Sequence, residues 1–108
     1  MEFILIHKMR EPDRYSRKPE EWLKAIEAFR KILAKPEETV AGGKLVASYT
    51  ALVENWMFCI WDVPNYEALV PFAQQMFMLG FDNDIILVEP TKVHIEKAAK
   101  FAEAMKKK

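Results

Sequence analysis

The sequence predicts an α+β fold whose elements follow one another in the order β-α-β-β-α-β, with one more helix at the C-terminal end. Apolar runs typical of strands occur near both ends of the chain and in its middle. Amphipathic helical patterns separate them, and glycines and prolines mark the boundaries. The chain has 108 residues, 51% of them apolar, which is the size of one domain with one core. We therefore expect a single domain over residues 1 to 108.

The first strand and the first helix are indicated by an apolar run and a later proline start signal. Glu2 to Met9 contains four consecutive apolar residues, which is typical of a central strand covered on both faces. Pro19, followed by two glutamates, begins a helix that runs to Lys35 and is stopped by Pro36. The apolar positions that predict its buried stripe are Trp22, Ile26, Phe29 and Leu33.

Two strands and a second helix are expected in the middle of the chain. Lys44 to Leu52 and Asn55 to Val63 are separated by a tight connection, so they should pair as a hairpin. Asn65 can cap the second helix, which ends at Gly80. Pro71 lacks an N–H group, so this helix either kinks or takes its first turn around that residue. Its apolar stripe is Leu69, Phe72, Met76 and Leu79.

The last strand and the terminal helix complete the pattern. Asp82 and Asn83 are predicted to turn the chain into the strand Asp84 to Glu89, and Thr91 is predicted to cap a helix that runs to about Met105. The side chains expected to pack this helix against another element are His94, Ala98, Phe101 and Met105.

This order of elements has a consequence for assembly. Right-handed crossovers place both internal helices on one face of a four-stranded antiparallel sheet and leave the other face bare. Large apolar side chains on that bare face would each forgo roughly 1.5–3 kcal/mol of burial. Large exposed apolar patches usually mark interfaces. The sequence therefore predicts a homodimer, or a higher homo-oligomer, that forms through the sheet.

Charge and cysteine content exclude several classes of partner. Sixteen basic residues balance sixteen acidic ones, so no net field attracts nucleic acid or an anionic membrane. Residues 91 to 108 hold six lysines and two glutamates, which we interpret as a solvated helix face with nucleic-acid binding as the minor alternative. The lone Cys59 cannot form an internal disulfide, and the apolar start is too short for a signal peptide or membrane span. A cytoplasmic location is expected by default.

Two segments carry a resemblance to a known superfamily. In WMFCIWDVPNYEALVPFAQQM, the residues Asp62, Val63 and Pro64 form a turn that leads into a Glu-Ala-Leu helix start at residues 67 to 69. This stretch resembles muconolactone isomerases. The opening MEFILIHKM is similar to that family's first strand, with Lys8 and Met9 matching best.

The resemblance implies the dimeric α/β-barrel superfamily, whose ferredoxin-like subunits pack sheet against sheet, over roughly residues 1 to 90. The second strand, KLVASYTAL, lacks the basic and histidine positions of the isomerases, and the C-terminal helix is an addition. The extension after Glu89 looks more like small uncharacterised families of the same superfamily. An isomerase or a small cofactor-independent monooxygenase is therefore one expectation. A non-catalytic homo-oligomeric binding or interaction module is the other.

The chemistry-bearing residues are few. The two histidines and the single cysteine form no pair at metal-ligand spacing, and the chain has no Gly-rich phosphate loop and no nucleophile elbow, so no cofactor is expected. His7 is the candidate general base because its unperturbed pKa suits neutral pH, and a hydrogen-bonded structural histidine is the alternative. Asp62 is a weaker catalytic candidate, since aspartate before proline often stabilises a turn.

A small apolar compound that bears an acid group would be the ligand of such a site. Arginines can hold a carboxylate through paired hydrogen bonds, and aromatic side chains can line a ring pocket, although most aromatics fill core or interface. The candidate ligand-binding residues are Arg10, Arg14, Tyr49, Trp56, Trp61 and Glu89. Cys59 lies among apolar residues, which favours inert packing over nucleophilic use.

Overall fold

The described part of the chain, residues 1–10 and 18–107, forms an α+β structure in the computed structural model. Its strands are β1 (Glu2–Met9), β2 (Lys44–Ala51), β3 (Trp56–Asp62) and β4 (Phe81–Val88). Its α-helices are α1 (Pro19–Ala34), α2 (Pro36–Thr39), α3 (Val70–Met78) and α4 (Thr91–Lys106). A 3-10 turn, Tyr66–Leu69, precedes α3. The predicted elements are all present, and the short α2 is an addition that the sequence pattern did not indicate.

The four strands form one sheet in the order β2-β3-β1-β4, and every neighbouring pair is antiparallel. β2 and β3 form the predicted hairpin. Asn55 lies in its turn with a φ of 56°, a left-handed conformation that asparagine tolerates better than most residues. β1 pairs with β3 on one side and with β4 on the other, so the strand with the most continuous apolar run is central.

The core lies between one face of the sheet and the two longer internal helices. Along β1 the side chains alternate, and Phe3, Leu5 and His7 are buried while Ile4 and Ile6 are half-buried on the other face. Further buried side chains of this core come from β3, β4, the helices and the connections between them: Ile32, Val40, Cys59, Trp61, Val63, Leu69, Phe72, Met76 and Phe81. Both helices therefore cover the same face. The opposite face is covered by no helix in the described part of the chain.

Pro71 is accommodated because α3, the second of the helices predicted from the sequence, starts late. The side chain of Asn65 accepts a hydrogen bond from the backbone N–H of Ala68 at 3.0 Å, which confirms it as the cap. The chain then makes its 3-10 turn, and the α-helix starts only at Val70. Pro71 thus falls in the first helical turn, where its missing N–H breaks no helical hydrogen bond.

Two predicted details of the packed elements are wrong. β4 begins at Phe81 rather than Asp84, and the predicted turn at Asp82 and Asn83 is part of the strand, because the Asn83 amide finds buried partners inside the fold. In α1 the buried face is rotated from the predicted one. Ala25 and Ile32 are buried in α1. Two members of the predicted stripe, Ile26 and Leu33, are instead exposed.

The terminal helix differs most from its prediction. α4 has the expected length, but Pro90 occupies its N-cap position, so Thr91 is the first helical residue rather than the cap. Every residue of α4 is exposed, so the described part of one chain does not bury its apolar stripe. With α4 included, the molecule measures 63 × 28 × 20 Å. Within residues 1–10 and 18–107, no helix is both long enough and apolar enough to cross a membrane.

Candidate functional site

His7 is a fully buried histidine on the central strand, held by a side chain from the neighbouring strand. In the β1–β4 register it lies directly opposite Asn83. The His7 Nδ1 atom and the Asn83 Oδ1 atom are 2.5 Å apart. The Asn83 Nδ2 group donates to the carbonyl oxygen of Ala73 at 3.0 Å and to that of Phe81 at 3.4 Å. A helix and an adjacent strand thus fix the asparagine that fixes the histidine.

These hydrogen bonds assign the tautomer of His7. Because the Asn83 amide nitrogen donates to carbonyl groups, its oxygen faces the imidazole and must accept from Nδ1–H. The Nε2 atom then carries the lone pair, which is the form that a general base requires. Burial lowers the pKa of His7, because desolvation disfavours the imidazolium and the Asn83 hydrogen bond opposes this only in part. His7 is therefore neutral at physiological pH.

The surroundings of His7 are apolar, and two buried nitrogens lie among them without partners. The Phe72 ring makes edge contacts with His7, at 5.2 Å between centroids, and with Trp61, at 5.4 Å. Among the described residues, His7 Nε2 and Trp61 Nε1 have no hydrogen-bond partner. Most buried polar atoms in proteins have a hydrogen-bond partner. The acceptor His7 Nε2 and the donor Trp61 Nε1 could therefore both bind a polar group of a ligand or a water molecule.

The cavity between the sheet and the helices is small. A cavity of about 30 Å³ lies between α1, α3 and the sheet, and Ser48, Met57, Cys59 and Phe72 contribute to its walls. That volume accommodates a water molecule but not a ring compound. Cys59 Sγ lies 3.6 Å from Ser48 Oγ, and burial raises the pKa of the Cys59 thiol despite this contact. The cysteine is thus the inert packing residue that its sequence context indicates.

A larger groove of about 810 Å³ runs between α3 and the edge strand β4. Asn83 reaches it from the buried side, and Tyr66, Val70, Phe77 and Ile85 give it apolar walls. Its size falls within the range of small-molecule sites. Asn83 therefore links the buried imidazole to a groove beside β4 that is large enough for a ring compound.

The face of the sheet opposite the helices is a second candidate site, and we call it the open sheet face. It is formed by the outward side chains Ile4, Ile6, Ala47, Tyr49, Trp56, Phe58, Ile60 and Ile86. Ile4 lies opposite both Ile60 and Ile86 in the strand registers, so the apolar surface is continuous across three strands. At one end, Lys8 lies 4.4 Å from the Trp56 ring centroid and forms an ion pair with Asp84 at 3.1 Å.

Arg10 is used within the fold. Its guanidinium donates to the carbonyl oxygens of Phe77, at 3.0 Å, and Phe81, at 3.3 Å, and lies 4.2 Å from the Phe77 ring centroid. Asp82 forms an ion pair with it at 3.5 Å. These contacts tie the end of β1 to the C-terminal end of α3. Arg14, the other candidate arginine, lies outside the described residues.

Asp62 and Glu89 lie at the opposite end of the sheet. The Met1 amino group donates to Asp62 Oδ1 at 3.1 Å, and Lys97 of α4 forms an ion pair with Glu89 at 2.7 Å. Both carboxylates border a groove of about 730 Å³ that His94 also lines. This groove has both polar and apolar walls, and it lies at the other end of β1 from His7.

The predicted site residues are therefore not brought into one cluster. His7 and Trp61 lie in the core, Tyr49 and Trp56 lie on the open sheet face, and the charged candidates lie at the two ends of the sheet. Sequence reasoning missed Asn83, the partner of His7. The alternation of Phe81, Asn83 and Ile85 would have placed it on the inner face of a strand.

Neither a metal site nor a known relative favours one of these candidate sites over another. In the parts of the chain that the structure describes, no group of three or more His, Cys, Asp or Glu side chains could hold a metal ion. Comparison with models of protein families gives no match. A comparison with curated proteins gives no significant match either.

Proposed function

We propose that this protein is a ferredoxin-like subunit of a dimeric α/β barrel, a homodimer in which the open sheet faces of two chains pack against each other. The observation that carries the proposal is the continuous apolar surface formed by Ile4, Ile6, Phe58, Ile60 and Ile86. The β-α-β-β-α-β order, the strand order β2-β3-β1-β4 and the placement of both internal helices on one face support it.

The physical reason is the cost of leaving this surface in water. Tyr49 is 68% exposed and Ile86 is 46% exposed, and the other large side chains of the face are half-buried only by their neighbours. Burying apolar surface is worth roughly 25 cal/mol per Å². A second copy offers the same surface, so a two-fold axis makes the contact self-complementary.

The test places one charge on the open sheet face and one on an exposed apolar position elsewhere. Ile86→Glu puts a carboxylate into the proposed interface of each chain, whereas Leu23→Glu changes an apolar residue of α1 that is 63% exposed. Because an unpaired buried charge is costly, we expect Ile86→Glu to weaken the dimer by at least about 100-fold. Leu23→Glu should leave the dimer intact.

Sedimentation velocity at micromolar concentration gives the readout. The native protein and Leu23→Glu should sediment with twice the chain mass of 12.6 kDa, and Ile86→Glu should sediment with a single chain mass. A native protein of single-chain mass at this concentration overturns the proposal. So does a dimer that Ile86→Glu leaves unchanged.

A second function is favoured by the unpartnered lone pair of His7. In this function the dimer binds a small apolar compound that bears an acid group. It then either isomerises the compound by proton transfer or oxidises it with dioxygen as the oxidant, in both cases without a cofactor. His7 Nε2 accepts the proton, Asn83 holds the imidazole, and the groove of about 810 Å³ between α3 and β4 admits the compound. His7 is fully buried and does not line this groove, so the proposal requires α3 to move for a ring compound to reach Nε2.

The two functions are separated by native mass spectrometry followed by substitution of His7. A dimer that carries a small-molecule adduct identifies the compound, and His7→Gln should then reduce its turnover or binding at least about tenfold while His94→Gln does not. A folded His7→Gln protein with native turnover and affinity removes His7 from the mechanism. A dimer without any adduct favours a non-catalytic interaction module.

A further inference from the structure

The terminal helix α4 is amphipathic, and its apolar side is exposed along its whole length. Ile95 is 57% exposed, Phe101 is 69% exposed and Met105 is 52% exposed. A helix of 16 residues is marginally stable in water without tertiary packing. A surface that buries this stripe would therefore stabilise α4.

The spacing in α4 defines the stripe. Residues three or four positions apart share one face of a helix, and the side chains on this face are Ile95, Ala98, Phe101, Ala102 and Met105. The opposite side carries Lys92, Glu96, Lys100 and Glu103. The two sides are separate, so the helix can bury one and leave the other in water.

The position of α4 connects this stripe to the open sheet face. The helix begins three residues after Val88, whose side chain lies opposite Glu2 on the same side of the sheet as Ile4. The ion pair between Lys97 and Glu89, at 2.7 Å, holds the first turns of α4 at the end of the sheet. His94 and Lys97 line the same groove as Val88. The stripe thus starts at the margin of the proposed dimer interface.

We propose that α4 packs its apolar stripe against the partner protomer and forms the outer part of the dimer interface. This inference rests on the proposed sheet-to-sheet dimer. Four strands of seven or eight residues cover on the order of 500 Å² of sheet face. A standard stable interface buries about 800 Å² on each partner. α4, about 24 Å long and 10 Å wide, adds on the order of 240 Å² and brings the footprint close to that size.

The composition of the helix favours a protein partner over a lipid surface. α4 holds four lysines and two glutamates, so its net positive charge is small. Its stripe includes two alanines, which allow close approach of another helix or strand and give little area for insertion between lipids. Membrane-surface helices instead combine a strongly basic face with large apolar residues.

The test compares paired alanine substitutions on the two sides of α4. Phe101→Ala with Met105→Ala removes the large side chains of the stripe, and Lys100→Ala with Glu103→Ala is the control that keeps the net charge. Alanine favours the helix in both variants, so helix formation is preserved. By sedimentation equilibrium, the stripe variant should raise the dimer dissociation constant at least about tenfold, because it removes two large apolar side chains from both copies of α4 at once. The control should change it less than about threefold.

A second measurement locates the helix directly. In a dimer made from isotope-labelled and unlabelled chains, isotope-filtered NMR should show contacts from the Phe101 ring of one chain to the other chain. Contacts only within one chain overturn the inference, as does a stripe variant with the native dissociation constant. A third outcome also overturns it: the native protein binds anionic phosphatidylserine vesicles, and the stripe variant loses this binding while its dimer dissociation constant is unchanged. If the native protein is a monomer, the proposed sheet-to-sheet dimer is refuted. If the stripe variant dimerises as tightly as the native protein, only the proposed role of α4 is refuted.

Discussion

The hydrogen bond between His7 and Asn83 joins two residues 76 positions apart, and its removal should measurably destabilise the fold. Asn83→Ala deletes the acceptor of His7 Nδ1–H and the two bonds that Asn83 donates to Ala73 and Phe81. The imidazole N–H then stays buried without an acceptor. An unsatisfied buried group costs about 1–3 kcal/mol, and each lost hydrogen bond adds about 1 kcal/mol. We expect the free energy of unfolding to fall by about 3–5 kcal/mol.

The assay is urea unfolding at fixed protein concentration, followed by tryptophan fluorescence, to which the buried Trp61 contributes. Asn65→Ala serves as the control, because it removes an exposed capping bond at 3.0 Å and should cost only about 1 kcal/mol. The double substitution His7→Phe with Asn83→Leu replaces both polar partners by apolar ones. The double variant should lose at least about 1 kcal/mol less of its free energy of unfolding than the summed losses of His7→Phe alone and Asn83→Leu alone.

The outcome that refutes this reasoning is specific. If Asn83→Ala unfolds within about 0.5 kcal/mol of the native protein, the bond contributes little and His7 is not held by Asn83. If the destabilisation of His7→Phe and that of Asn83→Leu simply add in the double variant, the two side chains do not interact in solution.

Other properties of the buried residues lead to further expected results. Burial lowers the pKa of His7 from 6.5, so the unfolded chain binds a proton there first as the pH falls. The free energy of unfolding is therefore unaffected by the titration of His7 above about pH 6.5. Below that pH it declines, by up to about 1.4 kcal/mol per pH unit, until the pH reaches the pKa of His7 in the folded protein. Urea unfolding of His7→Phe across this range should lack that decline. Burial also raises the pKa of Cys59, so iodoacetamide at about pH 8 should alkylate it at least about tenfold more slowly in the native protein than in urea, and equal rates would contradict its burial. Gly43→Ala would place a Cβ atom 2.7 Å from the buried Val40 Cγ1 and should cost about 1–3 kcal/mol by thermal or urea unfolding. Gly42→Ala would make only ordinary contact with the Pro64 ring, at 3.9 Å, but its φ of +74° strains an alanine, so it should cost about 1–2 kcal/mol. A neutral Gly43→Ala would show that the Val40 side chain can move aside.

Local pattern was sufficient for most of the secondary structure. The apolar run in β1, the glycines before β2, the Asn65 cap and the proline starts each act over a few residues, so the sequence displays them directly. The start of β4 was misjudged because Asp82 and Asn83 are favoured in turns. Their place in the strand depends on partners that lie far away in the chain, including His7 for Asn83.

The candidate site was predictable only in part, for the same reason. His7 could be selected by its residue type and by its place on an apolar strand. The burial that lowers its pKa, the asparagine that sets its tautomer and the groove beside β4 arise from packing between segments. Tyr49 and Trp61 looked alike in the sequence as aromatic strand residues. One is exposed on the open sheet face and the other is buried in the core.

The sequence by itself determined the α+β class, the order of the elements and the prediction of a face that the helices do not cover, because hydrophobic periodicity and turn residues are local properties. Only the tertiary structure decided which side chains of each strand face the helices, which side of α1 is buried and that α4 packs on nothing within the described part of its own chain. A strand with apolar residues in both alternation registers can present either face to a core. The strand register and the helices that pack on it make that choice.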